Sequence, residues 1–430
     1  MSSKKESTQV PKLRFPGFNE PWSIEAISKV LVEHKLKNTK GRDVFSVSME
    51  SGIVNQIEHL GRSYAAADTS HYTVARRFDV VYTKSPLKAF PFGIVKQCKF
   101  DGEVALSPLY GVFTPVNPHV GLMIEAYFES PNRSKSFLSP LCQKGAKNTL
   151  QITNTTFLSG HLPLPKEPLE QQEIADCLSS LDELIAAQAR KVDALKTHKK
   201  GLMQQLFPRD GETQPCLRFL EFRDAGEWEE SSLSKFVESL DAGVSVNSGD
   251  RPAGMTESGV LKTSAVTNGV FEPDENKVVL VEREQVRLKE PVKGGTIIIS
   301  RMNTPALVGA NAYVEFSHEN LFLPDRLWAA KPKEGSSMRF LASILGSEKG
   351  RAALSKLAKG SSGSMKNITK PDVLAFFVVA PKPLEQQRIA DCLTSLDTVI
   401  TAATKELETL KTHKKGLMQQ LFPSVDAVEV

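Results

Sequence analysis

The sequence predicts an α+β protein in which two mixed α/β domains are separated by two long antiparallel coiled-coil helices, as a tandem duplication with pseudo-two-fold symmetry. Three observations predict this fold. The chain has 430 residues, too many for one hydrophobic core. A 41-residue segment occurs twice and carries a helical apolar repeat, whereas the remaining sequence carries short strand-like runs. The predicted boundaries are 1–165 (first domain), 166–208 (central spacer helix), 209–380 (second domain) and 381–430 (C-terminal spacer helix and tail).

The duplication is most obvious in the two helical segments. Residues 168–208 match residues 383–423 at 29 of 41 positions without a gap, and both copies end in LKTHKKGLMQQLFP. Weaker matches precede them: PKLRF near residue 11 corresponds to PCLRF near residue 215, and Trp22 corresponds to Trp228. The chain is therefore two tandem units, each a variable domain followed by a nearly constant helix.

The constant segments are predicted to be helices that pair with each other. Pro168 suits a first helical turn, Pro208 ends the pattern, and a helix between them would span roughly 60 Å. A single narrow apolar stripe with a 3.5-residue period is typical of a coiled coil; helices packed on separate domains are the alternative. The predicted seam is Ile174, Leu178, Leu181, Ile185, Val192, Leu195, Leu202 and Leu206 in the first copy, and Ile389, Leu393, Leu396, Ile400, Leu407, Leu410, Leu417 and Leu421 in the second.

The two variable parts, 10–165 and 215–380, share length and layout but little sequence. Short β-branched and aromatic runs predict strands, and longer apolar patterns late in each part predict helices. The predicted strands are 44–49, 78–83, 92–95 and 109–113 in the first part and 260–263, 296–300, 306–310 and 311–316 in the second; the predicted helices are 121–129 and 338–358.

Several polar positions are candidates for contact with DNA. Lys84 follows one predicted strand, and Arg301 and Asn303 follow the matching one, where a cation or amide could meet a phosphate or base edge. Solvated charges at strand ends are the alternative. Each part also has a Lys-Gly loop, KGAKN and KGSSGSMKN, whose small residues would let backbone amides approach an anion. The candidates are Lys84, Lys88, Lys144, Lys147, Asn148, Arg301, Asn303, Lys359, Ser361, Lys366 and Asn367.

Composition places no strong constraint on function. The net charge is +4, and the basic excess concentrates at 34–100, with eleven Lys/Arg against five Asp/Glu. Five cysteines without a CxxC pattern indicate reduced thiols, and we expect a cytoplasmic protein because no apolar run suits a leader or a membrane span. The GxxxxGK[ST], HExxH, GxSxG and [ND]PP[YF] patterns are absent, so no catalytic site or metal site is predicted.

The motifs together resemble the specificity (S) subunits of type I DNA restriction–modification systems. The resemblance rests on VPKLRFPGF with Trp22 after it, AGEWEE, VLKTSAVTNGVF at 260–271, GSSGSMKNI and the two PLEQQ helices. It covers essentially the whole chain.

The resemblance implies a non-catalytic subunit with two target-recognition domains, each reading one half of a bipartite DNA site. The paired helices would fix the spacer and dock two adenine-methyltransferase (M) subunits, and restriction (R) motor/nuclease subunits would join in a restricting complex. S-adenosylmethionine, ATP and Mg are then expected in the partner subunits and no cofactor in this chain. An interaction scaffold that reads no sequence and a self-contained restriction–methylation enzyme are the alternatives.

Overall fold

The computed structural model describes residues 10–144, 150–359 and 365–423. The chain divides into two compact units, one containing 1–191 and 403–430, the other 192–402. Each unit thus holds one variable domain, the first part of one long helix and the last part of the other. The end of the first helix, 192–206, belongs to the second unit, and the end of the second helix, 403–421, belongs to the first unit.

The first unit contains twelve strands among its described residues, in two four-stranded sheets and two pairs. The sheet orders are β2-β9-β6-β7 and β4-β3-β8-β5, with β1-β12 and β10-β11 as pairs. The strands are β1 Ser23–Ala26, β2 Leu31–Glu33, β3 Val44–Ser48, β4 Gly52–Asn55, β5 Thr73–Arg76, β6 Val80–Thr83, β7 Ile94–Gln97, β8 Glu103–Leu106, β9 Tyr110–Pro115, β10 Gln143–Lys144, β11 Leu150–Gln151 and β12 His161–Leu164; the helices are α1 Ile27–Val30, α2 Gln56–Leu60, α3 Pro118–Phe128, α4 Pro131–Leu138 and α5 Asn154–Leu158.

The long helix α6, Pro168–Leu206, follows and leads into the second unit. There the sheet orders are β14-β22-β18-β20 and β16-β15-β21-β17, with β13-β24 and β19-β23 as pairs. The strands are β13 Glu229–Ser232, β14 Val237–Ala242, β15 Gly259–Leu261, β16 Asn276–Val278, β17 Pro291–Val292, β18 Ile297–Ser300, β19 Met302–Asn303, β20 Asn311–Tyr313, β21 His318–Phe322, β22 Leu327–Pro332, β23 Lys366–Asn367 and β24 Phe377–Ala380; the helices are α7 Glu282–Gln285, α8 Met338–Gly346, α9 Glu348–Lys356, α10 Lys370–Leu374 and, last, the long helix α11 Pro383–Leu421.

The four-stranded sheets of the two domains have the same topology although their sequences have diverged. In each, the first strand pairs antiparallel with the strand that precedes the long helix. The second sheet of each has one parallel pair, β3 with β8 and β15 with β21. The α+β fold with two mixed domains and two long helices is therefore confirmed.

Two predicted elements of the second domain are wrong. Residues 306–310 form turns, because Pro305 cannot extend a ladder and Gly309 adopts φ +78° beside Leu354. The predicted helix 338–358 is two helices: Ser347 is extended and caps α9 through the Gly350 amide. At Gly350 a Cβ would lie 2.1 Å from a backbone oxygen of α8, so only glycine permits this close approach.

Smaller differences concern the ends of strands. Phe78 has φ +73°, so the strand predicted from residue 78 begins at Val80. The strand predicted at 260–263 ends at Leu261, and Thr263–Val266 forms a 3₁₀ turn. Boundaries set by one or two residues of local backbone geometry are the least predictable part of an element.

The ends of the long helices complete the domain cores. In the first unit, Leu421 and Phe422 at the end of α11 are buried with Trp22, and the Trp22 and Phe422 rings meet edge to face. In the second unit, Phe207, just after α6, packs against Trp228 and Phe340. The repeated LFP tripeptide is therefore a core element of the domain in its own unit.

Within each unit the two helices run antiparallel. In the first, Asp182 pairs with Lys414 at 2.7 Å, and the Gln188 amide donates to the Ala403 carbonyl at 2.9 Å, so residue numbers rise along one helix as they fall along the other. In the second unit, Lys199 and Asp397 occupy the positions corresponding to Lys414 and Asp182 and lie 2.5 Å apart.

The predicted seam side chains are at least partly buried, and several of them lie in the domain cores: Ile174, Leu178 and Leu421 in the first unit, and Leu206, Ile389 and Leu393 in the second. None of them is exposed. Those that are fully buried are Ile174, Leu178, Val192, Leu206, Ile389, Leu393, Leu407 and Leu421; those that are partly buried are Leu181, Ile185, Leu195, Leu202, Leu396, Ile400, Leu410 and Leu417.

In the part of the chain that the structure describes, none of the helices combines the length and the apolar character that a membrane span requires.

Candidate nucleic-acid interface and helix joints

A buried ion pair joins the first domain to the start of α6. The Arg14 guanidinium donates to both carboxylate oxygens of Glu170, at 2.7 and 2.8 Å, and the Trp22 indole N–H donates to the same carboxylate at 3.1 Å. The Glu170 side chain is 1% exposed. Hydrogen bonding to the carboxylate raises the pKa of Arg14 despite partial burial. We call Arg14, Trp22 and Glu170 the first joint.

The second unit repeats this arrangement. Arg218 binds both oxygens of Glu385 at 2.7 Å, and the Trp228 indole donates to Glu385 at 3.4 Å. We call these three residues the second joint. The LRF motif, the tryptophan and the glutamate of PLEQQ are thus one constellation that occurs in both units.

The adjacent residues of the motifs bind the helix ends. The first glutamine of each PLEQQ, Gln171 or Gln386, donates to the carbonyl of the proline before the helix, at 2.9 and 2.8 Å. The leucine amide of each LRF donates to a terminal carbonyl of the other helix, Leu13 to Gln420 and Leu217 to Gln205. Each LRF segment therefore contacts the end of one long helix and, through its arginine, the start of the other, which satisfies helix-terminal groups.

The structure brings together several DNA-contact candidates of the second domain. Strand β19, with Asn303, pairs with β23, where Asn303 lies opposite Lys366. The backbones of Lys359 and Asn367 are joined by two hydrogen bonds, in which the amide of each residue donates to the carbonyl of the other. Residues more than fifty positions apart in sequence therefore form one polar edge beyond the end of β18, which the sequence indicated only as two separate features.

Arg301 is held within this edge by neighbouring groups. Its Nε donates to the Asp325 carbonyl at 2.6 Å, a terminal nitrogen lies 3.8 Å from the Asp325 carboxylate, and the guanidinium stands 6.0 Å from the Trp328 ring centre. Asn303 donates to Ser300 at 3.3 Å. These contacts orient both side chains at the end of the sheet.

The remaining candidates are distributed as follows. The Lys359 ammonium is exposed and donates to Asp372 at 2.9 Å. A hydrogen bond from Thr369, and then the one from Lys359, lowers the pKa of Asp372. Lys147, Asn148 and Ser361 lie outside the described residues, as does the side chain of Lys144.

In the first domain, Lys84 follows β6 as predicted, and both Lys84 and Lys88 are exposed. Partial desolvation lowers the pKa of Lys84, and the Glu33 carboxylate acts in the opposite direction. Lys84 thus occupies the sheet end that corresponds to Arg301.

Neither joint was predicted from the sequence, although its residues were noted as repeated motifs. The usable signal was that Arg, Trp and Glu recur together in both units, which a structural pairing would explain. Among the described residues, no group of three His, Cys, Asp or Glu could hold a metal ion, and the five cysteines form no disulfide.

The same four-stranded sheet thus occurs twice, with a cation, Lys84 or Arg301, just past the equivalent strand end in each copy. Comparison with known proteins agrees. Residues 226–412 match the family model described as "Type I restriction modification DNA specificity domain". The chain is therefore similar to type I restriction–modification specificity subunits, as its motifs indicated.

Individual relatives show the same similarity. The chain is 28% identical over 305 residues to the type I restriction enzyme MjaVIII specificity subunit of Methanocaldococcus jannaschii, covering 69% of this chain and 68% of the relative. It is 24% identical over 320 residues to the putative MjaX specificity subunit of the same organism, covering 71% and 68%. The crystal structure of the type I restriction–modification system S subunit from M. genitalium has the same fold, with a TM-score of 0.60 at 14% identity over 96% of this chain and 99% of that chain.

Proposed function

We propose that each unit reads one half of a bipartite DNA site. The observation that supports this most directly is the shared topology of the two domains combined with different side chains at equivalent sheet edges. One scaffold with two edge chemistries can position two different sets of base contacts. In this proposal the long helices fix the number of base pairs between the half-sites.

The helices also dock two methyltransferase subunits in this proposal. The two copies differ at twelve positions, ten of which fall between 183 and 194. Outside that stretch the copies differ only at 173/388 and 179/394. They agree elsewhere even where the side chains are exposed, as at Leu169 and Leu384, which are 67% and 79% exposed. Because packing within the chain does not require identity at exposed positions, a partner common to both copies accounts for it.

The chain itself contributes recognition and assembly, and the partner subunits contribute chemistry. Adenine methylation would occur in the methyltransferase subunits with S-adenosylmethionine. ATP and Mg would be used by motor/nuclease subunits in a restricting complex, and this chain would bind no cofactor.

The experiment is to express the chain with its methyltransferase subunit in a host lacking adenine methylation and to sequence the methylated bases. We expect one motif with two specified halves and a fixed gap. Exchanging residues 10–165 for those of a relative should change one half only. A change in both halves, or in neither, would contradict modular reading.

Two controls separate the alternatives. The lone chain should show no methylation, because an active lone chain would indicate a self-contained enzyme. Purified complex should bind the motif more tightly than scrambled DNA, with affinity that falls as salt rises. Equal binding to both DNAs, or none, would instead indicate a scaffold.

A further inference from the structure

The strand registers of the two domains identify equivalent positions at the sheet edges. In the first domain, Thr83 at the end of β6 lies opposite Tyr110 of β9. In the second, Ser300 at the end of β18 lies opposite Leu327 of β22. Since β9-β6 and β22-β18 occupy the same places in their sheets, the two pairs are equivalent.

One residue further along, the edges differ in chemistry. Lys84 and Leu109 come next in the first domain, and Arg301 and Arg326 come next in the second, where the Arg301 amide donates to the Arg326 carbonyl at 3.0 Å. Lys84 and Arg301 are both cations. The other position differs: the first domain has the apolar side chain of Leu109 where the second has the guanidinium of Arg326.

Arg326 is available for an external ligand. Its side chain is exposed and makes no hydrogen bond or ion pair with any described residue. Its neighbour Arg301, by contrast, is engaged with the Asp325 carbonyl and stands near the Trp328 ring. Asp325 also accepts a hydrogen bond from Ser245, so the carboxylate beside Arg326 is already bound from two sides.

Leu109 is a largely exposed apolar residue next to a sheet. Its side chain is 71% exposed, while its backbone amide is fixed by the Ser107 hydroxyl at 3.3 Å. Tyr110, the next residue, already belongs to β9. Because the backbone of Leu109 is fixed by this hydrogen bond, its exposed side chain offers an apolar contact at a defined position.

We propose that Arg326 and Leu109 are equivalent specificity-determining residues: Arg326 reads a guanine in one half-site, and Leu109 contacts a thymine methyl group in the other. The inference rests on the proposed bipartite recognition and adds which residues discriminate. Arginine donates two hydrogen bonds to O6 and N7 of guanine, the commonest specific contact in the major groove. Apolar side chains recognise the thymine C5-methyl group there.

The test uses complexes of the full chain with its methyltransferase subunit and the methylated motif as readout. For Arg326→Gln we expect the preference for guanine at one position of one half-site to fall roughly 10- to 100-fold. Arg326→Lys should lose most of that preference too, because lysine keeps the charge but not the paired donors. If Arg326→Lys keeps the wild-type preference, the residue contacts phosphate and base reading is refuted.

For Leu109→Ala we expect weaker preference for thymine at one position of the other half-site, with the Arg326-dependent half unchanged. Synthetic sites carrying uracil in place of thymine remove only the methyl group. They should weaken wild-type binding and leave Leu109→Ala unaffected. A wild-type complex indifferent to uracil at every position of that half-site would refute the thymine contact.

The matched controls lie at the opposite ends of the same strands. Val116 and Lys333 occupy equivalent positions there, and their amides donate to Val30 and Phe236 at 2.9 Å. Val116→Ala and Lys333→Gln should keep the wild-type motif. If the wild type itself shows no two-part motif, the proposed function fails; if it does and the Arg326 and Leu109 variants keep it unchanged, only the present inference fails.

Discussion

The joints predict a large and specific loss of stability on Glu170→Gln. The substitution keeps the shape of the side chain but leaves the Arg14 guanidinium, 13% exposed, without its carboxylate. Removing one partner of a buried ion pair costs about 3–5 kcal/mol, because the remaining charge stays desolvated. At about 2–4 °C per kcal/mol for a unit of this size, the melting temperature of the first unit should fall by about 6–20 °C.

Calorimetry on the purified chain measures this effect, with Glu173→Gln as the matched control. Glu173 lies one turn further along α6 and is exposed, so its substitution should change the free energy of unfolding by less than about 0.5 kcal/mol. Glu385→Gln should produce a similar loss in the second unit, where Arg218 is left unpaired.

A double variant distinguishes an ion pair from general packing. Arg14→Met combined with Glu170→Gln should be less destabilising than the sum of the two single changes, because the double variant leaves no unpaired charge in the joint. If Glu170→Gln unfolds with the same free energy as Glu173→Gln, the joint does not hold the domain and our reasoning is wrong.

Three further predictions concern the helices. Burial alone would raise the pKa of Glu129, but Lys96 and Lys414 lower it. The stability that the Glu129 carboxylate contributes is therefore present above its unfolded pKa and is lost as pH falls through its folded pKa. On acid titration, Glu129→Gln should lose less stability below about pH 5 than the wild type does. Gln188→Ala should cost about 1–3 kcal/mol in chemical denaturation, because the amide binds the Ala403 carbonyl and the Glu406 carboxylate; no loss would contradict a role in pairing. Removing seven residues from both helices shortens each by about 10 Å, so the methylated motif should show a shorter gap or disappear, and an unchanged gap would contradict the spacer role.

The long helices were predictable because their signal is long and redundant. An apolar period sustained over forty residues in two copies outweighs any single exception, and α6 and α11 begin at the predicted prolines. The strand 306–310 was not predictable in the same way, because Val308 and Ala310 are buried whether the backbone extends or turns. Gly309, at positive φ, decides between these conformations, and one residue gives a weak signal.

Contacts between residues far apart in the sequence were the other feature that could not be predicted. Lys366 and Asn303 are adjacent only because β19 pairs with β23, and neither short strand has a sequence pattern of its own. Likewise, Arg14 and Glu170 lie 156 positions apart, and only the recurrence of both motifs in the second unit linked them. Within the site, the sequence could indicate residue types and approximate positions, whereas contacts required the fold.

Packing within each unit explains why some positions of the repeated LKTHKKGLMQQLFP are identical, but it does not explain the identity of the exposed positions. Leu206 and Leu421 are each buried in a domain core, and the carbonyls of Gln205 and Gln420 accept the LRF amides, so these positions are constrained within each unit. The exposed KTH residues, identical at 196–198 and 411–413, are not constrained in this way. Just before them, exposed positions at 190–194 have diverged from 405–409. Recent duplication alone would preserve both stretches equally, so a contact outside the chain, made by both copies, is the more economical cause of the identity at the helix ends.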